Sequence, residues 1–243
     1  MGGKILKKLF SLLIVAAICA VFDSSFASAS EEQGFQTARQ SMVEEQVVKR
    51  GVRNGSVIES MLSVPRHLFV TEKYVSNAYR DTPLPIDYGQ TISQPYIVAY
   101  MTEMLKVKGD DTVLEVGTGS GYQAAILSVL VNKVYTIEII PELALQVARR
   151  LKKLNYKNVD VKNDDGYYGW QEHAPFDAII VTAAAGHIPP PLVRQLKRGG
   201  RMIIPVGGPF MVQSLVLVTK GEGGEITTEN VMYVRFVPLT GGH

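Results

Sequence analysis

The chain has 243 residues, with 25 Lys and Arg against 23 Asp and Glu and a single cysteine. One cysteine excludes an internal disulfide and a cysteine-ligated metal centre. The basic residues are scattered rather than gathered in a patch, so nothing in the charge pattern points to nucleic acid.

Residues 1–29 have the pattern of an export signal. Lys4, Lys7 and Lys8 form a basic start, and Leu9 to Phe22 is an apolar run of 14 residues, short for a bilayer span. Ala27-Ser28-Ala29 matches a small-residue cleavage site. Cys19 lies inside this segment, and the bulky Ile18 before it argues against lipoprotein processing. The reading is a signal peptide over 1–29, a periplasmic mature protein and no stable membrane association after cleavage. Cleavage removes three lysines and one aspartate, which leaves equal numbers of basic and acidic residues. The remainder, 30–243, is long enough for one domain with a full core.

Periodicity sets the expected elements. Residues 37–50 read as a helix through Met42, Val43, Val47 and Val48, and 56–63 as a second helix ended by Pro65. Residues 81–94, rich in Pro, Gly and Asp, read as an ordered loop, followed by a helix over 95–105. Strands and helices then alternate: strand 112–116, helix 121–131, strand 133–137, helix 141–154, strand 159–162 and the apolar strand 176–181. A helix near 191–196, a turn at Arg198-Gly199-Gly200 and a strand over 201–205 follow. Segments 212–219 and 230–237 read as a closing hairpin. This order predicts an α/β fold with a mostly parallel, doubly wound sheet, helices on both faces and ligands at the carboxyl ends of the strands. Residues 30–108 form an N-terminal helical and loop region, and 109–243 the cofactor-binding sheet.

The richest segment is Val113-Leu114-Glu115-Val116-Gly117-Thr118-Gly119-Ser120-Gly121-Tyr122. It reads as a buried strand, a glycine turn and a helix start, a geometry that lets backbone amides approach a ligand. Glu138, at the end of the next strand, suits ribose hydroxyls. A dinucleotide fingerprint requires a small residue at the sixth position, where this chain has Tyr122. Glu115 beside the turn disfavours a pyrophosphate and suits a cationic group, such as the amino group and sulfonium of S-adenosyl-L-methionine. Three readings follow: a methyltransferase, an NAD-dependent oxidoreductase on a similar sheet, and a catalytically silent exported protein with the same fold.

Several blocks together resemble the protein-L-isoaspartate O-methyltransferase family. They are Val64-Pro65-Arg66-His67-Leu68-Phe69-Val70, Gly89-Gln90-Thr91-Ile92-Ser93-Gln94-Pro95, the glycine turn, Ala174-Pro175-Phe176-Asp177-Ala178-Ile179, Leu196-Lys197-Arg198-Gly199-Gly200-Arg201 with Pro205-Val206-Gly207, and Val237-Pro238-Leu239-Thr240. They span nearly all of 37–241 in order, and the block at 89–95 is the most specific. The resemblance implies a Rossmann-like methyltransferase fold that binds S-adenosyl-L-methionine and acts on isoaspartyl-containing proteins and peptides. It assigns Ser93 to the active site, Thr91, Ile92, Val237 and Thr240 to the substrate, and Gly117, Thr118, Gly119, Glu138, Asp165 and Gly166 to the cofactor. Glu115 and Gly121 complete the expected cofactor set. Asn163-Asp164-Asp165-Gly166 departs from the family's usual Gly-Asp-Gly, which leaves Asp164 and Asp165 as rival adenine contacts. No metal is expected, because His173 and His187 lack partners at ligand spacing. The protein is expected to be a monomer. The family is usually cytoplasmic, which stands against the export reading.

Overall fold

The computed structural model describes residues 30–209 and 211–242. The expected signal peptide lies outside them. Among the described residues, no helix is long and apolar enough to cross a membrane.

The described part begins with a helix (α1) over residues 30–42, which passes into a π-helical stretch at Val43–Val48. Helix α2 covers Gly55–Ser63, capped by Asn54, whose side chain accepts from the Val57 amide at 3.2 Å. Two short strands follow, β1 (Leu84–Pro85) and β2 (Thr91–Ile92), paired antiparallel across a tight turn. Residues 81–94 are therefore a miniature ribbon rather than a plain loop. Two-residue strands are too short to show a period, so the sequence gives no sign of them. Helix α3 (Pro95–Leu105) begins with proline at its first turn, as expected.

The α/β core then runs β3 (Thr112–Val116), α4 (Tyr122–Leu130), β4 (Lys133–Glu138), α5 (Pro141–Lys153), β5 (Val159–Asn163), β6 (Phe176–Val181), α6 (Pro190–Gln195), β7 (Leu196–Val206), β8 (Gln213–Lys220) and β9 (Ile226–Val234). The seven-stranded sheet has the order β5-β4-β3-β6-β7-β8-β9. The pairings from β5 to β7 are parallel, and the last two are antiparallel. The doubly wound, mostly parallel sheet is thus present, with its C-terminal antiparallel pair.

Several boundaries differ from expectation: the first helix begins at residue 30 rather than 37 and turns π-helical at Val43–Val48, and β9 begins at Ile226 rather than 230. Strand β7 starts at Leu196, and the glycines expected to form a turn before it instead make a bulge inside it. Phe176 pairs with Leu196, and the next β6 pairing, Ala178, is with Arg201. Gly199 takes up the strain with φ +77°. Strand β9 ends at Val234, short of the expected 237, and residues 235–240 leave the sheet edge. The Phe236 amide donates to the Gln213 side chain at 2.9 Å, which turns the chain away.

Alternate residues of β3 serve opposite layers. Val113 packs with Met101, Leu105 and Leu127 from α3 and α4, whereas Leu114 and Val116 pack with Phe176 and Leu192 on the other face. A further apolar cluster joins α2, α3 and the π turn to the outer sides of α4 and α5. The N-terminal region is therefore built into the same body as the sheet.

Gly121 joins that cluster to the glycine turn. It caps α4 with φ +83°, and a Cβ there would stand 2.6 Å from Val147 Cγ1 on α5. Gly121→Ala is expected to destabilise the fold by about 2–4 kcal/mol, from left-handed strain plus overpacking. Adding Val147→Ala should recover part of this, and urea unfolding of the single and double variants measures it.

Candidate active site

The chain leaves β3 toward β4 and β5, then returns to β6 on the opposite side. Such a reversal opens a crevice at the carboxyl ends of the strands. A cleft lies there, lined by residues of the glycine turn, the ends of β4 and β6, the ribbon and the C-terminal segment.

The glycine turn forms its floor. The amides of Gly117 and Thr118 both reach the Ile137 carbonyl of β4, at 2.9 and 3.2 Å. The Thr182 hydroxyl, just past β6, donates to the Val116 and Gly117 carbonyls at 3.1 and 2.5 Å. Gly117 has φ +95°, and a Cβ on it would lie 2.5 Å from Thr182 Oγ1. A left-handed backbone against the Thr182 hydroxyl therefore calls for glycine. Gly119 faces the ribbon: a Cβ there would meet the Thr91 carbonyl oxygen at 3.9 Å. Ligand atoms at Gly119 are thus close to the segment that carries Ser93.

Two acids flank the floor. Glu138 accepts from the Gly119 amide at 2.9 Å and the Ile140 amide at 3.1 Å. A carboxylate has about four acceptor positions, so capacity remains for two hydroxyls. Glu115 is fully buried. Its Oε2 accepts from Thr136 at 2.6 Å, and Thr136 lies 2.7 Å from the Thr118 hydroxyl. Thr136 has one proton to give, so when it serves Glu115, Thr118 must donate to Thr136. Glu115 Oε1 has no partner among the described residues. Burial pushes the Glu115 carboxyl up to about 8; the Thr136 bond opposes this shift and the Glu138 charge adds to it. An unsatisfied buried acid beneath a glycine cradle fits a ligand with a cationic end. The residues present therefore match S-adenosyl-L-methionine better than a pyrophosphate-bearing dinucleotide.

The ribbon and the C-terminal segment form the walls. Thr91, Ile92 and Ser93 line the cleft on one side, and Val237 and Thr240 on the other. The C-terminal segment is held by the Ala184 amide donating to the Val237 carbonyl and the Leu239 amide donating to the Ala184 carbonyl, both at 2.8 Å. Ser93 does not cap α3: Gln94 occupies that position, and no side chain caps the helix.

Of the expected cofactor residues, Glu115, Gly117, Thr118, Gly119, Glu138 and Gly166 line the cleft. Gly121 and Asp165 do not. Gly121 makes room for α5 instead. The Asp165 carboxylate accepts from the Tyr167 amide at 3.0 Å and the Gly242 amide at 3.1 Å, so it clamps the C-terminal segment. Asp164 pairs with Lys162 at 2.8 Å and is also outside the lining. Thr182, Ile139 and Gln123 line the cleft without having been singled out from the sequence. Thr182 and Ile139 directly follow strand ends, and that position was the available signal. Trp170 packs against Tyr135, away from the cleft, and His67 stacks on Phe35 at 4.0 Å.

A doubly wound sheet with a glycine turn, a strand-end acid and an acid-lined cationic niche defines a nucleoside-cofactor-dependent transferase. Comparison with known proteins narrows the class. Residues 37–243 match the family model of protein-L-isoaspartate(D-aspartate) O-methyltransferase. A relative from Syntrophobacter fumaroxidans, protein-L-isoaspartate O-methyltransferase 2, is 66% identical over 187 residues, covering 77% of this chain and 76% of its own. Protein-L-isoaspartate O-methyltransferase 1 of Nitrosospira multiformis is 56% identical over 211 residues, 86% of this chain and 89% of its own. A solved protein-L-isoaspartate O-methyltransferase superposes with TM-score 0.76 at 29% identity, over 84% of this chain and 66% of its own. A Plasmodium falciparum structure, described as a candidate member in complex with S-adenosyl-L-homocysteine, superposes with TM-score 0.70 at 27% identity, over 83% of this chain and 98% of its own. The chain belongs to the protein-L-isoaspartate O-methyltransferase family.

The buried acid gives a pH signature. Unfolded, Glu115 ionises near 4.5; folded, near 8. Between those values the folded state holds a proton that the unfolded state has lost, so this group lowers stability as pH rises across the window. Cofactor-free protein should lose stability between pH 4.5 and 8, and Glu115→Gln should flatten that slope in thermal melts.

Proposed function

We propose that this chain transfers a methyl group from S-adenosyl-L-methionine to the free carboxylate of L-isoaspartyl residues in damaged proteins. The resulting ester closes to a succinimide outside the enzyme, which begins repair. The observation that carries this reading is the meeting of two unlike surfaces in one cleft. An acid-flanked glycine floor suits a cationic nucleoside, and the Thr91–Ser93 wall reaches it at Gly119. The family and the relatives' names support the substrate assignment.

When bound, S-adenosyl-L-methionine supplies a methyl group on a sulfonium, which departs as a neutral thioether. The protein's share is placement. The accepting carboxylate is already ionised at neutral pH, so no residue has to remove a proton. Glu138 is held by two backbone amides in position to take ribose hydroxyls. Glu115 and the Thr118–Thr136 pair lie under the end of the turn that receives positive charge. The Ser93 hydroxyl can orient one oxygen of the substrate carboxylate while the other attacks. Alignment of this kind contributes up to about 7–11 kcal/mol in well-oriented systems, enough to dispense with a general base.

The decisive assay compares an isoaspartyl peptide with its normal aspartyl twin. Labelled methyl should enter the first and not the second; no transfer to either would support the catalytically silent reading. Ser93→Ala should lower kcat/KM by about tenfold to hundredfold, the effect of losing one hydrogen bond to a charged group. It should leave S-adenosyl-L-homocysteine binding unchanged by calorimetry.

The reading extends to location. The basic start, apolar run and Ala27-Ser28-Ala29 site support export, with a monomeric mature protein acting on ageing exported proteins. Fractionation with N-terminal sequencing should recover a periplasmic form starting near Ser30. An intact cytosolic N-terminus would overturn the location without touching the chemistry.

A further inference from the structure

Arg66 is the one Arg or Lys among the described residues that is completely buried. No carboxylate among the described residues pairs with it. Its Nε donates to the Ala78 carbonyl and its Nη2 to the Ser93 carbonyl, both at 2.8 Å. Its guanidinium carbon stands 4.9 Å from the centre of the Tyr122 ring. Its Nη1 has no acceptor among the described residues. Ser93 and Tyr122 both line the cleft, so a bare positive charge sits directly behind the substrate wall. A buried ion without a counter-ion is costly, and structural packing alone would be served better by an apolar side chain of the same size. Such a group calls for an anion supplied from elsewhere, and the proposed substrate brings one to Ser93.

We propose that Arg66 is a positioning residue for the substrate carboxylate: it fixes Ser93 through the main-chain carbonyl and sets an unneutralised positive charge behind the place where the carboxylate docks. The inference rests on the isoaspartyl reading above. It separates the cleft into a half that meets a cation over Glu115 and a half that meets an anion in front of Arg66. Tyr122 lies between them, its ring against Arg66 and its backbone at the start of α4.

The test compares wild type, Arg66→Lys and Arg66→Met with an isoaspartyl peptide, alongside calorimetric binding of S-adenosyl-L-homocysteine. Arg66→Met should raise the peptide KM about tenfold or more, as expected for lost charge-assisted contacts. Arg66→Lys keeps the charge but cannot reach both carbonyls, and should fall between. Affinity for S-adenosyl-L-homocysteine should stay within about twofold of wild type in both, because its floor is built from β3, β4 and α4. An unchanged peptide KM in both variants overturns the inference, as does a loss of S-adenosyl-L-homocysteine affinity parallel to the KM change. Wild-type protein with ¹⁵N-labelled arginine gives a second reading that depends on no variant's folding. The Arg66 Nε–H resonance should move when isoaspartyl peptide joins the S-adenosyl-L-homocysteine complex, and not with the aspartyl twin; a resonance that stays put overturns the inference. Wild type that methylates no isoaspartyl peptide overturns the functional reading instead.

Discussion

The site depends on one constraint: where β3 passes into the turn, a left-handed backbone (φ +95°) and the Thr182 hydroxyl just past β6 leave no room for a side chain. Gly117 fills that position, pinned by the Ile137 carbonyl on one side and the Thr182 hydroxyl on the other. Because both neighbours are strand ends of the buried sheet, the turn inherits the rigidity of the core. This fixes where Gly119 and its amide lie, and the amide in turn fixes Glu138. The pairing of floor and acid thus follows from the glycine at 117, where a side chain would meet the Thr182 hydroxyl that holds the turn.

The second organising feature is electrostatic. The protein buries two groups of opposite sign that it leaves incompletely satisfied, Glu115 Oε1 and Arg66 Nη1. They belong to different parts of the fold, one on a central strand and the other in the short 3₁₀ turn Arg66–Phe69. Burial acts on both in the direction of neutrality, raising the acid and lowering the base to about 10. The energy left uncollected in the free protein is available to ligands that bring the complementary charge. A sulfonium nucleoside and a carboxylate have those charges, and their mutual attraction also favours the productive arrangement.

Much of this was legible in the sequence, and the gaps have physical causes. Glycine turn, strand-end acid and alternating elements are local patterns, and each fell where periodicity placed it. The β1–β2 ribbon was not legible, because its pairing is two residues long. The resemblance assigns Asp165 to the cofactor; its bond from the Gly242 amide, 77 residues away, is one that no local pattern announces. The Gly199-Gly200 pair looked like a turn and became a bulge, because both outcomes require the same positive φ. Arg66 could not be singled out, since a buried arginine and an exposed one have the same letter. What told them apart was the convergence of the Ala78 and Ser93 carbonyls from segments 12 and 27 residues downstream.

These long-range contacts share a direction. The cofactor floor is built almost wholly from consecutive strands, whereas the substrate walls are borrowed from outside the sheet. The ribbon is held from behind by Arg66, and the C-terminal segment by Ala184 and Asp165. The ribbon is also packed, because Leu84 and Ile92 belong to the apolar cluster that joins the N-terminal region to α4 and α5. The floor must stay fixed, because methyl transfer tolerates little misalignment between attacking oxygen, carbon and sulfur. Arg66 and Asp165 tether backbone at the two edges of the cleft, and in the proposal above Arg66 also sets its charge behind the carboxylate.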